Sequence, residues 1–188
     1  MNRPSDRLLW LDCEFTGLNI EDDLVLEVGA LVTTFQFNEL ATYQSFVHYP
    51  VSVVEPLLSR NPWWVERPEH QADILSGVRA SKKDINLVAN EIALFSGEWC
   101  GQPATLAGNS IYNDRKWIAR DFPALENQLH YRMLDVTSLK IIAAGLLGVE
   151  YSKQERHRSM DDIRESVAEL RFLLQKIGNA AIVSRLLE

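Results

Sequence analysis

The sequence predicts an α/β domain, a mixed β-sheet flanked by α-helices. Three observations predict it. The N-terminal segment is a succession of apolar, strand-like runs, the remainder alternates short strand-like and longer helix-like segments, and no internal repeat, low-complexity tract or Gly/Ser linker interrupts the pattern. A chain of 188 residues fits one such domain with a substantial core, so a single unit over 1–188 is expected.

Residues 8–15 (LLWLDCEF) and 24–37 (LVLEVGALVTTFQF) read as the first two strands, and the near-continuous apolarity of the first makes it central. A third strand is expected around Thr42–Tyr49. Residues 50–80 mix prolines with short apolar groups, the pattern of short helices and loops. Asp84–Phe95 carries apolar residues at 85, 88, 92 and 95, the spacing of a helix. Ala104–Ala107 reads as a short buried strand, followed by Gly108-Asn109-Ser110 and a helix from about Asn113 to Phe122. Tyr131–Val136 is a further strand, and Thr137–Leu147 a helix closed by Gly148. Residues 159–177 form the last helix, with Ile163, Val167, Leu170, Leu174 and Ile177 on one stripe and Ser159 as N-cap.

Composition narrows the function. Hydrophobic residues make up 46% and charged residues 24%, values of a globular chain rather than a disordered one. The polar opening MNRPSDR shows neither a secretory signal nor a transit peptide, and no apolar run is long enough for a bilayer. Two cysteines, Cys13 and Cys100, make neither a disulfide scaffold nor a zinc site, so a cytoplasmic protein without membrane attachment is expected. The net charge of −7 leaves no basic stripe of the kind that tracks long nucleic acid.

The carboxylates carry the chemistry. Alternate strand residues share a face, so Asp12 and Glu14 project together from the end of the most hydrophobic strand. Two like charges in poorly solvated surroundings call for protons or cations, and hard divalent ions take such oxygen ligands. A simple solvent-exposed strand end is the alternative for this pair alone. His157 and Asp162, in HRSMDD, are about 500° apart on a continuous helix, and converge more easily with His157 in the preceding loop. On the stripe defined by Ile163, Val167 and Leu170, Asp161 points away, whereas Asp162 lies at the edge and can reach a site at the core's margin. Asp161 then favours the helix N-terminus electrostatically, and Asp114, in the first turn of its helix, could do no more than that if taken alone.

Taken together, Asp12 and Glu14 in WLDCEFTGL, Asp114 in GNSIYNDRKW, the stretch HYRMLDV, and His157 with Asp162 in HRSMDDIRESVAEL resemble the DEDDh exonucleases, and among them the oligoribonucleases. The resemblance covers most of the chain and implies a ribonuclease H-like fold, a homodimer, and 3′-to-5′ release of nucleoside 5′-monophosphates from short RNA oligonucleotides, dinucleotides above all. It implies two Mg²⁺ or Mn²⁺ ions per active site, held by Asp12, Glu14, Asp114 and Asp162, with His157 as general base. It further implies that Leu18 wedges between two bases and that Trp63 or Trp64 stacks on one. Ser110, Arg132 and either Thr137 or Ser138 would cap the 5′ phosphate, with His70 as the cap's histidine, and Tyr131 would reach the neighbouring protomer's site. The spacing of His70 from the tryptophans and from Ser76-Gly77 departs from the family's pattern. The same metal cage would serve an exonuclease trimming or proofreading longer single-stranded DNA or RNA. A non-catalytic nucleotide-binding module and a metal-dependent phosphatase are the rival classes.

Overall fold

The computed structural model describes residues 6–152 and 158–178. Five strands form one sheet: β1 (Arg7–Phe15), β2 (Val25–Thr34), β3 (Glu39–Phe46), β4 (Ala104–Gly108) and β5 (Leu129–Asp135), in the order β3-β2-β1-β4-β5. The first three form an antiparallel meander, while β4 runs parallel to β1 and β5 parallel to β4. The sheet is therefore mixed, and β1 is central as its apolarity predicts.

Among the described residues eight helices surround it: α1 (Val51–Arg60), α2 (Pro62–Val65), α3 (Pro68–Ala80), α4 (Ile85–Trp99), α5 (Tyr112–Asp121), α6 (Pro123–Glu126), α7 (Val136–Leu147) and α8 (Ser159–Ile177). The two-residue period of β1 sorts its side chains. Leu9, Leu11 and Cys13 enter a core shared with Val88, Ile92, Trp117 and Ile118 of α4 and α5. Leu8 and Trp10 face the other way, onto Val136 and Ala143 of α7 and Ile163, Val167 and Leu170 of α8. A third cluster joins Leu26 to Val54, Leu58, Trp64, Ile74 and Val78 beneath α1–α3. Each such fully buried aliphatic side chain contributes roughly 1.5–3 kcal/mol.

Several boundaries differ from the sequence expectation. The apolar run 24–37 stops being strand at Thr34, whose hydroxyl accepts from the Gln36 and Asn38 amides. The chain turns there through Phe37 at φ 64°, and the Phe37 ring packs edge-on against Trp10 rather than extending the strand. The third strand begins and ends about three residues earlier than expected. Residues 51–80 are almost wholly helical: Pro62 and Pro68 occupy first turns and so start helices instead of breaking them, Asn61 caps α2 by accepting from the Trp63 amide, and Pro56 is accommodated inside α1. Gly77 is required where α3 crosses the sheet, since an added Cβ would lie 2.3 Å from the Phe46 ring.

The α8 stripe also shifts. Leu173 is buried and Leu174 is 43% exposed, because over nineteen residues the 3.6-residue period drifts away from a strict three-four alternation. Ser159 is not the N-cap. Arg158 holds that position, and Ser159 is the first helical residue, buried against Gly29, where a Cβ would come within 2.7 Å of the serine side chain. A glycine in the middle of β2 thus lets the start of α8 rest directly on the sheet.

Candidate active site

The face of β1 that buries Leu8 and Trp10 presents Asp12 and Glu14 two and four residues later, where α8 begins. Asp162, in the first turn of α8, completes a group with Asp12 and Glu14 whose carboxylate oxygens all lie within 4.8 Å of one another. Among the described residues Asp161 does not enter this group, as the helix angles predict. Asp114 stands in the first turn of α5, only 7% exposed, and its Oδ1 accepts the Cys13 backbone N–H at 3.0 Å. Its carboxylate is therefore pinned against the residue lying between Asp12 and Glu14. His157 falls outside the described residues.

These charges strain one another. Burial first, then the carboxylates of Glu27, Asp162 and Asp114, push Glu14 up to about 8, with Arg158 opposing. Burial raises Asp114 to about 7, against hydrogen bonds from the Cys13 amide and its own, and Asp135 adds to the rise. Burial, then the carboxylates of Asp114, Asp12, Glu14 and Glu27, push the intervening buried Cys13 thiol well up, which disfavours its thiolate. Oxygen-only ligands, crowded until their ionised forms are costly, are the donor set of hard divalent cations. The residues present fit such ions.

From Glu14 a cleft of about 770 Å³ opens between the 16–24 loop and the α1–α2 junction, lined by Leu18, Asp23, Arg60, Asn61, Trp63 and Trp64 among others. Asp23 organises the loop. It accepts from the Thr16 hydroxyl at 2.8 Å, the Asn19 amide at 2.9 Å and Arg60 Nη2 at 3.2 Å. Burial opposes ionisation of Asp23, but these three donors outweigh it and hold the carboxyl below its usual range. Leu18 at the loop's tip is 81% exposed, an apolar side chain held out into the cleft.

The two tryptophans separate. Trp64 is buried and donates its indole N–H to the Phe15 carbonyl at 3.0 Å, tying α2 to the end of β1. Trp63 is half-buried on the cleft wall, with the Arg67 guanidinium 4.7 Å from its ring centroid. His70 lies behind it, ring centroids 6.5 Å apart, and does not line the cleft.

At the β4–α5 turn, Ser110 adopts φ 50°, a left-handed conformation that costs a non-glycine residue about 1–2 kcal/mol. The surroundings impose it. The Ser110 amide donates to Asp135 Oδ1 at 2.9 Å and Thr137 Oγ1 at 2.8 Å, and the Ser110 and Thr137 hydroxyls stand 3.1 Å apart. Thr137 makes this cluster, while Ser138 is exposed one position further along α7. Arg132 and Tyr131 are exposed on β5, the guanidinium 5.2 Å from the Tyr131 ring centroid.

Sequence reasoning missed Glu27, Asp23, Asp135 and Arg158. Glu27 is fully buried and lies opposite Glu14 in the β1–β2 register, accepting from Gln44 with Arg158 Nε 3.5 Å away. The signal was available, a lone glutamate inside the apolar run LVLEVG.

Converging carboxylates at the end of the central strand of a mixed sheet make a site suited to a divalent cation, as a metal-dependent hydrolase would need. The chain belongs to the exonuclease family, which its residues 9–170 match. Within that family it is similar to oligoribonucleases. One from Francisella tularensis subsp. tularensis (strain WY96-3418) is 33% identical over 180 residues, covering 93% of this chain and 98% of its own. Another, from Streptomyces avermitilis, is 36% identical over 179 residues, covering 92% and 88%. The chain is accordingly a 3′-to-5′ exoribonuclease of the oligoribonuclease type.

Solved structures agree on the fold. E. coli exonuclease I in complex with a dT13 oligonucleotide matches with a TM-score of 0.61 at 14% identity, covering 92% of this chain and 42% of that one. Exonuclease I from Methylocaldum szegediense gives 0.62 at 14% identity, covering 94% and 42%. The chain spans about two fifths of those longer proteins, with the ribonuclease H-like sheet as the shared part. No helix among the described residues is long and apolar enough to cross a membrane.

Proposed function

We propose that the enzyme hydrolyses RNAs of two to five nucleotides from their 3′ ends, preferring dinucleotides and releasing nucleoside 5′-monophosphates. The observation that carries this is the cluster of Asp12, Glu14 and Asp162 opening directly into the Leu18–Trp63 cleft, with Glu14 common to both. Asp12, Glu14, Asp114 and Asp162 would hold two Mg²⁺ or Mn²⁺ ions, which would supply charge stabilisation for the attacking and leaving oxygens of an in-line displacement. His157 takes the proton of the attacking water, the general-base role that an imidazole fills most often.

The chain's own side chains orient the substrate. Leu18 separates the two bases and Trp63 stacks on one, a contact tolerant of sequence because every base has a π-face. The Ser110–Thr137 pair, with Arg132, receives the 5′ phosphate. A guanidinium suits that role because its planar fork donates two hydrogen bonds at once. The net charge of −7 favours a substrate with few phosphates over a long polymer.

The enzyme works as a homodimer in the cytoplasm. The apolar surface on α7 supports the dimer: Ile141 is 67%, Ile142 46% and Leu146 59% exposed, beside Tyr131 at 71% on the edge strand β5. Covering this face with a second copy would bring Tyr131 towards the partner's site. The two buried, unpaired cysteines suit a reducing compartment.

A length series with a common 3′ end, from a dinucleotide to a 20-mer, assayed with Mg²⁺ and with Mn²⁺ and read by chromatography, tests the proposal. The dinucleotide should be the fastest substrate. Faster loss of the 20-mer would assign the enzyme to trimming of longer strands, and release of inorganic phosphate would make it a phosphatase. Sedimentation of the wild type against Ile141→Glu tests the dimer, which the variant should dissociate.

A further inference from the structure

Arg60 closes the last turn of α1 and forms part of the cleft wall that also holds Leu18 and Trp63. One of its guanidinium N–H groups is spent on the buried Asp23 carboxylate at 3.2 Å. An arginine carries five N–H donors, so among the described residues four are left without a protein acceptor, on a side chain 53% exposed. The ion pair fixes the fork in place, and the cleft beside it is where a base would lie.

The position identifies which base. The cleft starts at Glu14, in the carboxylate cluster where the bond is cut, and the phosphate-receiving pair Ser110–Thr137 belongs to a different turn, between β4 and α5. An enzyme removing the terminal nucleotide keeps that nucleotide on the side of the cluster away from the 5′ phosphate. On the reading of the cleft given above, its occupant is the 3′-terminal nucleoside.

We propose that Arg60 is a specificity-determining residue that reads the 3′-terminal base, favouring guanine and uracil, whose major-groove edge carries a carbonyl oxygen (O6 or O4), over adenine and cytosine, whose same edge carries an amine (N6 or N4). Guanine presents two adjacent acceptors, O6 and N7, which match the guanidinium fork, and uracil presents O4. Adenine and cytosine present an amine whose hydrogens meet donors with donors. Asp22, also on the cleft wall, offers a carboxylate complementary to guanine's N–H groups.

The test is kcat/KM for the 5′-phosphorylated dinucleotides pApG, pApU, pApA and pApC with the wild type and Arg60→Gln. The dinucleotide pApG should exceed pApC by about 5-fold or more, and the ratio should fall to within about two-fold of unity in the variant. Equal rates in the wild type would overturn the inference. So would an unchanged ratio with all four rates lowered in parallel, the result expected if Arg60 merely braces the Leu18 loop. Should Arg60→Gln not fold, Arg60→Lys keeps a cation for Asp23 but loses the fork, and its ratio must also drop. If none of the four is cleaved, the short-substrate reading fails, and calorimetric binding of GMP against CMP decides the inference separately. Tighter GMP binding lost in the variant upholds it; equal binding overturns it.

Discussion

Replacing Glu14 by glutamine should stabilise the metal-free protein while destroying its activity. Glu14 is raised from 4.5 to about 8 by burial and by the carboxylates of Glu27, Asp162 and Asp114. A tenfold change in proton affinity is worth about 1.4 kcal/mol, so ionising Glu14 costs on the order of 4–5 kcal/mol more in the folded protein than in the unfolded chain. The folded value lies above the unfolded one, so the stability this group contributes is fully present below about pH 4.5 and is lost as pH rises through about 8. At pH 7 the accumulated loss is on the order of 3 kcal/mol.

Glutamine keeps the shape and never ionises. For a chain of this length that difference corresponds to a gain of roughly 6–12 °C in Tm. Thermal melts of wild type and Glu14→Gln in excess chelator at pH 5, 7 and 8.5 would measure it, with the gap widening as pH rises. Saturating Mn²⁺ should raise the wild type more than the variant and narrow the gap, because the ion neutralises the carboxylates that the substitution relieves. A gap independent of pH would refute the account of the site as a cluster of mutually repelling carboxylates.

Other consequences are as direct. Asp162→Asn should abolish turnover without unfolding the protein, whereas Asp161→Asn should retain most activity; equal losses would show that the acidic pair works as a unit. Trp63→Ala should raise KM for dinucleotides with little change in Tm, while Trp64→Ala, which empties a buried site and frees the Phe15 carbonyl, should cost about 3–5 kcal/mol in denaturant titrations. Gly29→Ala sets a methyl within 2.7 Å of the Ser159 side chain, so it should destabilise by about 1–3 kcal/mol and lower kcat by displacing the start of α8, which carries Asp162. Activity unchanged in that variant would mean that Asp162 does not depend on this contact.

Much of the molecule was written in local patterns. The apolar run from Leu8 to Leu11 made β1 central, its two-residue period put Asp12 and Glu14 on one face, and the 3.6-residue period of α8 separated Asp162 from Asp161. Each of these follows from side-chain direction along a single element, which needs no knowledge of what packs against it. The family followed from the same blocks, because their order along the chain is itself information.

What only the tertiary structure decided was which distant groups meet. Nothing local separates Trp63 from Trp64; the Phe15 carbonyl does, by claiming one indole N–H. Thr137 rather than Ser138 makes the hydroxyl cluster because the β4–α5 turn brings Ser110 to it. Glu27 was visible only as an odd acid in an apolar strand until the β1–β2 register set it opposite Glu14 and the start of α8 brought Arg158 to it. Periodicity fixes the direction in which a side chain points, but the energy of a buried charge depends on neighbours contributed by other elements, and those are set by packing.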